Sequence, residues 1–166
     1  STPPYSSAAS DVYKRQQALQ ANTTGAGNIG VGKNSLLVNT TGNYNVAVGQ
    51  NALDANTTAS NNTAIGHEAL GANTAGDRNV AVGHEALYTN TTGKRIVAVG
   101  QGAFRTMNIT DSASVYATAV GYQAGYSNTT GARNTALGGY CFYYNTTGND
   151  NVALGVSALE ASTTAS

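Results

Sequence analysis

The chain of 166 residues reads as an all-β protein, a parallel β-solenoid of eight stacked coils. Three observations predict this class. A glycine recurs at Gly32, Gly49, Gly66, Gly83, Gly100, Gly121, Gly138 and Gly155, with a constant spacing of 17 that lengthens to 21 only between Gly100 and Gly121. Recurrence at a fixed period is the signature of a repeat architecture. Before each glycine stands a short alternating stretch of the form Asn-(Val/Thr)-Ala-(Val/Ile/Leu) in most copies, the period-two signal of a strand. Turn elements of the form Asn-Thr-Thr-Gly open at Asn22, Asn39, Asn90, Asn128 and Asn145, where Gly and Asn tolerate positive φ and Asn bonds its own backbone. A helical array fits poorly, because Gly, Asn, Thr and β-branched residues are weak helix formers and no apolar stripe of helical spacing persists.

The repeat begins at Gln17. Ser6 to Gln16, Ser-Ser-Ala-Ala-Ser-Asp-Val-Tyr-Lys-Arg-Gln, reads as a translated transposase sequencing adapter. Residues 1–16 are therefore expected to be a non-native, disordered tail. The array from 17 to 166 starts and stops in mid-repeat, at Gln17-Ala18-Leu19 and Ser162-Thr163-Thr164-Ala165-Ser166, as a fragment of a longer protein would.

Composition removes several function classes. Net charge is zero and only 10% of residues are charged. With Lys14, Arg15 and Asp11 set aside, the array keeps six basic and seven acidic residues. There is no basic footprint for nucleic acid or an anionic membrane. Apolar runs are only a few residues long, too short to cross a bilayer. Cys141 is the one cysteine, so no internal disulfide framework exists. In its column it replaces an alanine and reads as a small buried hydrophobe.

Asn79 to Arg95 shows the columns well. Val80 and Val82 share one face of a strand, with Ala81 and Gly83 on the other. The valines, with the Leu or Phe of a second segment (Leu53, Leu70, Leu87, Phe104, Phe142, Leu159), are expected to form the bulky core. The column of Ala47, Ala64, Ala98, Ala119 and Ala136 is expected to stay small because another backbone packs there, across the coil or from another subunit. Two short strands and two turns make one coil. Coils stack about 4.8 Å apart, giving a rod about 40 Å long. Vertical files of identical residues allow Asn and Thr ladders. Three bulky side chains and an alanine make a thin core. Stacking hydrogen bonds and a homotrimer or other oligomer are expected to supplement it.

The Asn-x-Ala-(Val/Ile)-Gly element resembles the head repeat of YadA-like trimeric autotransporter adhesins. Ala119-Val120-Gly121-Tyr122-Gln123-Ala124 and Asn128 to Gly131 also look like repeats of phage tail fibres. The resemblance covers Gln17 to Ser166. It implies a left-handed parallel β-roll, three intertwined chains and a binding role at a surface. The adhesin head repeat is shorter; here the Asn-Thr-Thr-Gly turn lengthens each coil.

No catalytic motif appears, and neither a cofactor nor a metal site is expected. His67-Glu68 and His84-Glu85 occupy the same columns of adjacent coils, which places two imidazoles about 5 Å apart. That column also holds Lys33, Gln50, Gln101 and Tyr122 and reads as an exposed polar position. Between Gly100 and Gly121 lie four extra residues, within Met107 to Tyr116. Insertions in repeat proteins project as loops, often on a binding face. The candidate contact patch is Met107, Asn108, Asp111 and Tyr116 of that loop with Tyr122, Tyr126, Tyr143 and Tyr144, since tyrosines suit protein or glycan contacts. The expected function is a non-enzymatic, extracellular rod of a bacterial surface adhesin or a virion tail fibre. Its partners would be its own copies and a host protein or glycan. The alternatives are a passive spacer stalk and an ice-binding solenoid.

Overall fold

The computed structural model describes residues 17–110 and 114–164. The tail expected over 1–16 lies outside them. Eight three-residue strands run in chain order: β1 Ile29–Val31, β2 Val46–Val48, β3 Thr63–Ile65, β4 Val80–Val82, β5 Val97–Val99, β6 Thr118–Val120, β7 Thr135–Leu137 and β8 Val152–Leu154. They form one parallel sheet in the order β1 to β8, and no helix occurs among the described residues. The register follows the repeat residue by residue. Ala47 pairs with Ala64 and Ala64 with Ala81, while Ala98 pairs with Ala119 across the long repeat. The chain is a parallel β-solenoid.

The faces are reversed from the expectation. Ala47, Ala64, Ala81, Ala98, Ala119 and Ala136 are fully buried, together with Leu36, Leu53, Leu70, Leu87 and Phe104. The valine columns point outward, half-exposed in the middle strands and open at the ends, where Val152 and Leu154 are each 75% exposed. The reason is the narrowness of so short a coil. At Gly30, the one strand centre without a methyl, an added Cβ would stand 3.1 Å from Ser35 Oγ and 3.3 Å from Leu19 Cγ. The interior takes a methyl facing a leucine and nothing larger. Where Phe104 replaces the leucine, the next coil offers Gly125, whose added Cβ would lie 2.4 Å from the Phe104 ring. Cys141 is buried in the column of Ala52, Ala69, Ala86 and Ala124, where it replaces an alanine as expected.

Each coil holds one strand rather than two. The second segment runs through a left-handed turn at its leucine: Leu53, Leu70 and Leu87 have φ of 50°, 51° and 52°. Left-handed backbone is costly for a non-glycine residue. It persists because these amides still bond between coils, Leu53 N–H to Ala69 O and Leu70 N–H to Ala86 O. Burial of the leucine side chain adds to that restraint.

The polar half of the interior is asparagine. Asn39, Asn56, Asn73 and Asn90 each donate from Nδ2 to Oδ1 of the asparagine one coil earlier, at 2.7–3.3 Å. Each also bonds the carbonyl three residues on. In a second file, Oδ1 of Asn45, Asn62 and Asn79 accepts the backbone N–H one coil later, and Nδ2 reaches a carbonyl of the next turn. Burying an amide is tolerable only when its hydrogen bonds are kept. These ladders keep them.

Both files are interrupted around the long repeat, and asparagine returns beyond it at Asn128 and Asn134. Met107 takes the place of the first-file asparagine, and Ile96 and Ala117 that of the second; with Ile109 and Val115 they form a buried apolar cluster. Thr92 Oγ1 still bonds Ile109 O at the ordinary one-coil offset, whereas Val97 N–H bonds Ala117 O. The insertion therefore lies between Ile109 and Val115, and both of its feet are apolar and buried.

Candidate binding surface

The outer side of the turn segment carries the aromatic side chains. One column there reads Leu37, Asp54, Gly71, Tyr88, Arg105, Tyr126, Tyr143 and Glu160. Because parallel coils repeat about every 4.8 Å, flat side chains in one column stack. Tyr126 and Tyr143 are parallel within 6° at a centroid separation of 5.2 Å. The Arg105 guanidinium lies 5.5 Å from the Tyr88 centroid and 5.8 Å from that of Tyr126, within cation–π range of both. Arg105 Nε also donates to Glu85 Oε2 at 2.6 Å. Around the stack, Tyr144 meets Tyr143 edge-on at 4.7 Å and Tyr122 meets Tyr140 at 5.2 Å. Burial, then the neighbouring Tyr126 and Tyr144, pushes the Tyr143 hydroxyl up, so that hydroxyl keeps its proton at neutral pH.

The sequence-derived patch divides into separate sites. Tyr122, Tyr126, Tyr143 and Tyr144 do come together. Tyr116 stands at the other end of β6, in the corner before it, under Arg95 at 5.3 Å. Met107 contributes nothing to any surface: it is fully buried, because its side chain fills the break in the asparagine file. Asn108 Oδ1 accepts from the Thr91 hydroxyl at 2.8 Å and is a structural substitute for the threonine of its column. Asp111 lies outside the described residues. Sequence reasoning missed Arg105, Tyr88 and Glu85; following the column coil by coil, with the longer step at the insertion, brings them beside Tyr126.

His67 and His84 stack at 5.2 Å with an interplanar angle of 10°, the spacing their columns predict. Among the described residues no group of three or more His, Cys, Asp and Glu could hold a metal ion. Thr23, Thr40, Thr57 and Thr74, from the turn elements, donate their hydroxyls to the backbone of the following coil. This threonine column stitches coils together.

The bond from Arg105 outweighs the opposing effect of burial and holds the Glu85 carboxyl below its ordinary value of 4.5. A depressed carboxylate contributes stability above its unfolded pKa and loses it as pH falls through the folded one. We expect Glu85→Gln to cost up to about 1 kcal/mol at pH 7, the usual ceiling for a partly exposed pair. Urea unfolding of both proteins should show that difference shrink as the pH is lowered below the ordinary value of 4.5 and the Glu85 carboxylate takes up its proton.

Comparison with protein-family models, with curated proteins and with solved structures finds no match to this chain.

Proposed function

We propose that the chain is a non-catalytic structural and adhesive rod. In this reading it is an extracellular segment of a trimeric surface adhesin or phage tail fibre that attaches to a host protein or glycan. The observation that carries the reading is the outward face of the sheet. One outward column, running from Val31 through Val48, Val82 and Val99 to Leu154, is apolar in all eight strands; the column beside it adds Ile29, Val46, Val80, Val97 and Val152 and is broken by Thr63, Thr118 and Thr135. A monomeric soluble protein rarely leaves so continuous an apolar face in water. Its straight, repeating form suits identical copies laid side by side, each covering the next around a closed axis. The tyrosine cluster lies on the turn segment, away from this stripe, and is left free for a host ligand.

Sedimentation equilibrium of the full chain tests the assembly. A stable trimer is expected, and the double variant Val80→Lys/Val97→Lys should sediment as monomer, because it sets charges in the middle of the buried contact. A folded monomer at micromolar concentration would sink the trimer. Adhesion is tested separately, by retention of the labelled trimer on arrays of host-surface glycans and matrix proteins. Retention lost on replacing Tyr122, Tyr126 and Tyr144 by serine supports the adhesive reading. A trimer retained nowhere would leave only a spacer.

A further inference from the structure

One rung of the aromatic column is missing. Gly71 stands between Asp54 and Tyr88 in the file that continues through Arg105, Tyr126 and Tyr143. Its missing side chain leaves a cleft of about 160 Å³, lined chiefly by Asn51, Asp54, Glu68, Gly71, Ala72 and Tyr88. We propose that this cleft binds one guanidinium or alkylammonium group, presented by an arginine or lysine side chain of a partner protein.

The adjoining rung shows what the column accepts. Arg105 lies against the ring of Tyr88 at 5.5 Å and bonds the carboxylate of Glu85 at 2.6 Å. The cleft offers the same ingredients one step earlier. It borders the same tyrosine, Glu68 is the column-mate of Glu85, and Asp54 adds a second carboxylate. The Tyr88 ring leans over Gly71, its Cε2 3.1 Å from where a Cβ would stand, and the cleft lies beside that ring and the two carboxylates.

The charges of the cleft are unbalanced. Among the described residues no lysine or arginine pairs with Asp54 or Glu68; the nearest partner of Glu68 is His67, at 3.9 Å. Burial, together with the negative charge of Glu68, raises the Asp54 carboxyl above its ordinary range, the response of an acid that lacks a cation. An aromatic ring with two carboxylates is matched by an organic cation, which gains from both. A metal ion is less well served, since the described residues hold no group of three His, Cys, Asp and Glu able to bind one. None of the six named residues belongs to a strand, so the site draws no residue from the valine stripe.

The test is NMR titration of the full isotope-labelled chain with N-acetyl-arginine amide and N-acetyl-lysine amide. N-acetyl-citrulline amide serves as the uncharged isostere. Saturable shifts are expected at the Gly71 and Ala72 amides and the Tyr88 ring with the two cations and not with citrulline. The variant Asp54→Asn/Glu68→Gln should weaken the arginine analogue by about fivefold or more, the equivalent of one partly exposed ion pair. Gly71→Arg should supply the cation from within the chain and abolish the titration. Its Cβ would stand 3.1 Å from Tyr88 Cε2, at the yielding end of a side chain. Equal shifts with citrulline, or unsaturable shifts at every exposed acid, would overturn the proposal on the unmodified chain alone, whether or not the variants fold.

Discussion

Replacing Gly83 with alanine is expected to remove more than about 3 kcal/mol of stability, a conformational cost of about 1–3 kcal/mol with a backbone collision added to it. Gly83 has φ of 133°, a region that side chains of L-residues rarely enter. An added Cβ would stand 2.6 Å from both C and O of Gly100 and 2.9 Å from the amide nitrogen of Gln101. Those are backbone atoms of the next coil, which can move only by breaking the stack. Gly49, Gly66, Gly100, Gly121 and Gly138 repeat this geometry, with contacts of 2.3–2.6 Å. Gly155 supplies the control. Its φ is 117°, but nothing lies within 4 Å of its added Cβ, so Gly155→Ala should cost only the conformational part, about 1–3 kcal/mol. Urea denaturation followed by circular dichroism reads both variants. Equal losses at the two sites would show that coil-to-coil contact is not what requires the glycine.

The second large effect is expected in the asparagine ladders. Asn62 Oδ1 accepts the Asn79 N–H at 2.9 Å, and Nδ2 donates to Gly76 O at 2.9 Å, all out of contact with water. Asn62→Ala strands one buried donor, the Asn79 N–H, at a cost of about 1–3 kcal/mol, while Gly76 O keeps its bond from Asn73 Nδ2. The expected loss is therefore about 1–3 kcal/mol. Asn62→Asp keeps the acceptor but turns an oxygen toward Gly76 O and buries a charge, so it should be no milder. Thr58→Ala, at an exposed position in the same coil, should change stability by less than about 0.5 kcal/mol. The same urea measurement separates the three. An Asn62→Ala loss no larger than that of Thr58→Ala would mean that the ladder is not closed as described.

The periodicity alone makes the vertical order legible. The regular glycine spacing and its one longer step become pairings of Ala81 with Ala98 and of Ala98 with Ala119. Alternation also divides each strand into two faces, but it cannot say which one turns inward. Valine suggests a core and alanine a contact. The deciding quantity is the width of the coil, seen in the crowding of Gly30 by Leu19 and Ser35. Nothing in Leu53 announces a φ of 50°. That conformation is imposed by hydrogen bonds to the neighbouring coil, so a strand is the natural expectation for its segment. Asparagine reads as turn chemistry, yet Asn56 and Asn62 are wholly buried. Only the stack gives each amide its partner. At the surface, the tyrosines are visible as residue types. The stack of Arg105 with Tyr88, and the gap at Gly71, emerge only when the columns are read downward.

The register of the solenoid is tested most directly by methyl-to-methyl NOEs in a chain with alanine methyls labelled. Ala47, Ala64, Ala81 and Ala98 lie in one buried file, with neighbours about 4.8 Å apart and second neighbours about twice that. Ala64, Ala81 and Ala98 are each predicted to show a cross-peak to the alanine one coil before and to the one a coil after, and Ala47 only to Ala64, because Gly30 precedes it in the file. Between alanines two coils apart the signal should be far weaker. Absence of the adjacent-coil cross-peaks, with the alanine methyls exposed to water, would contradict the account.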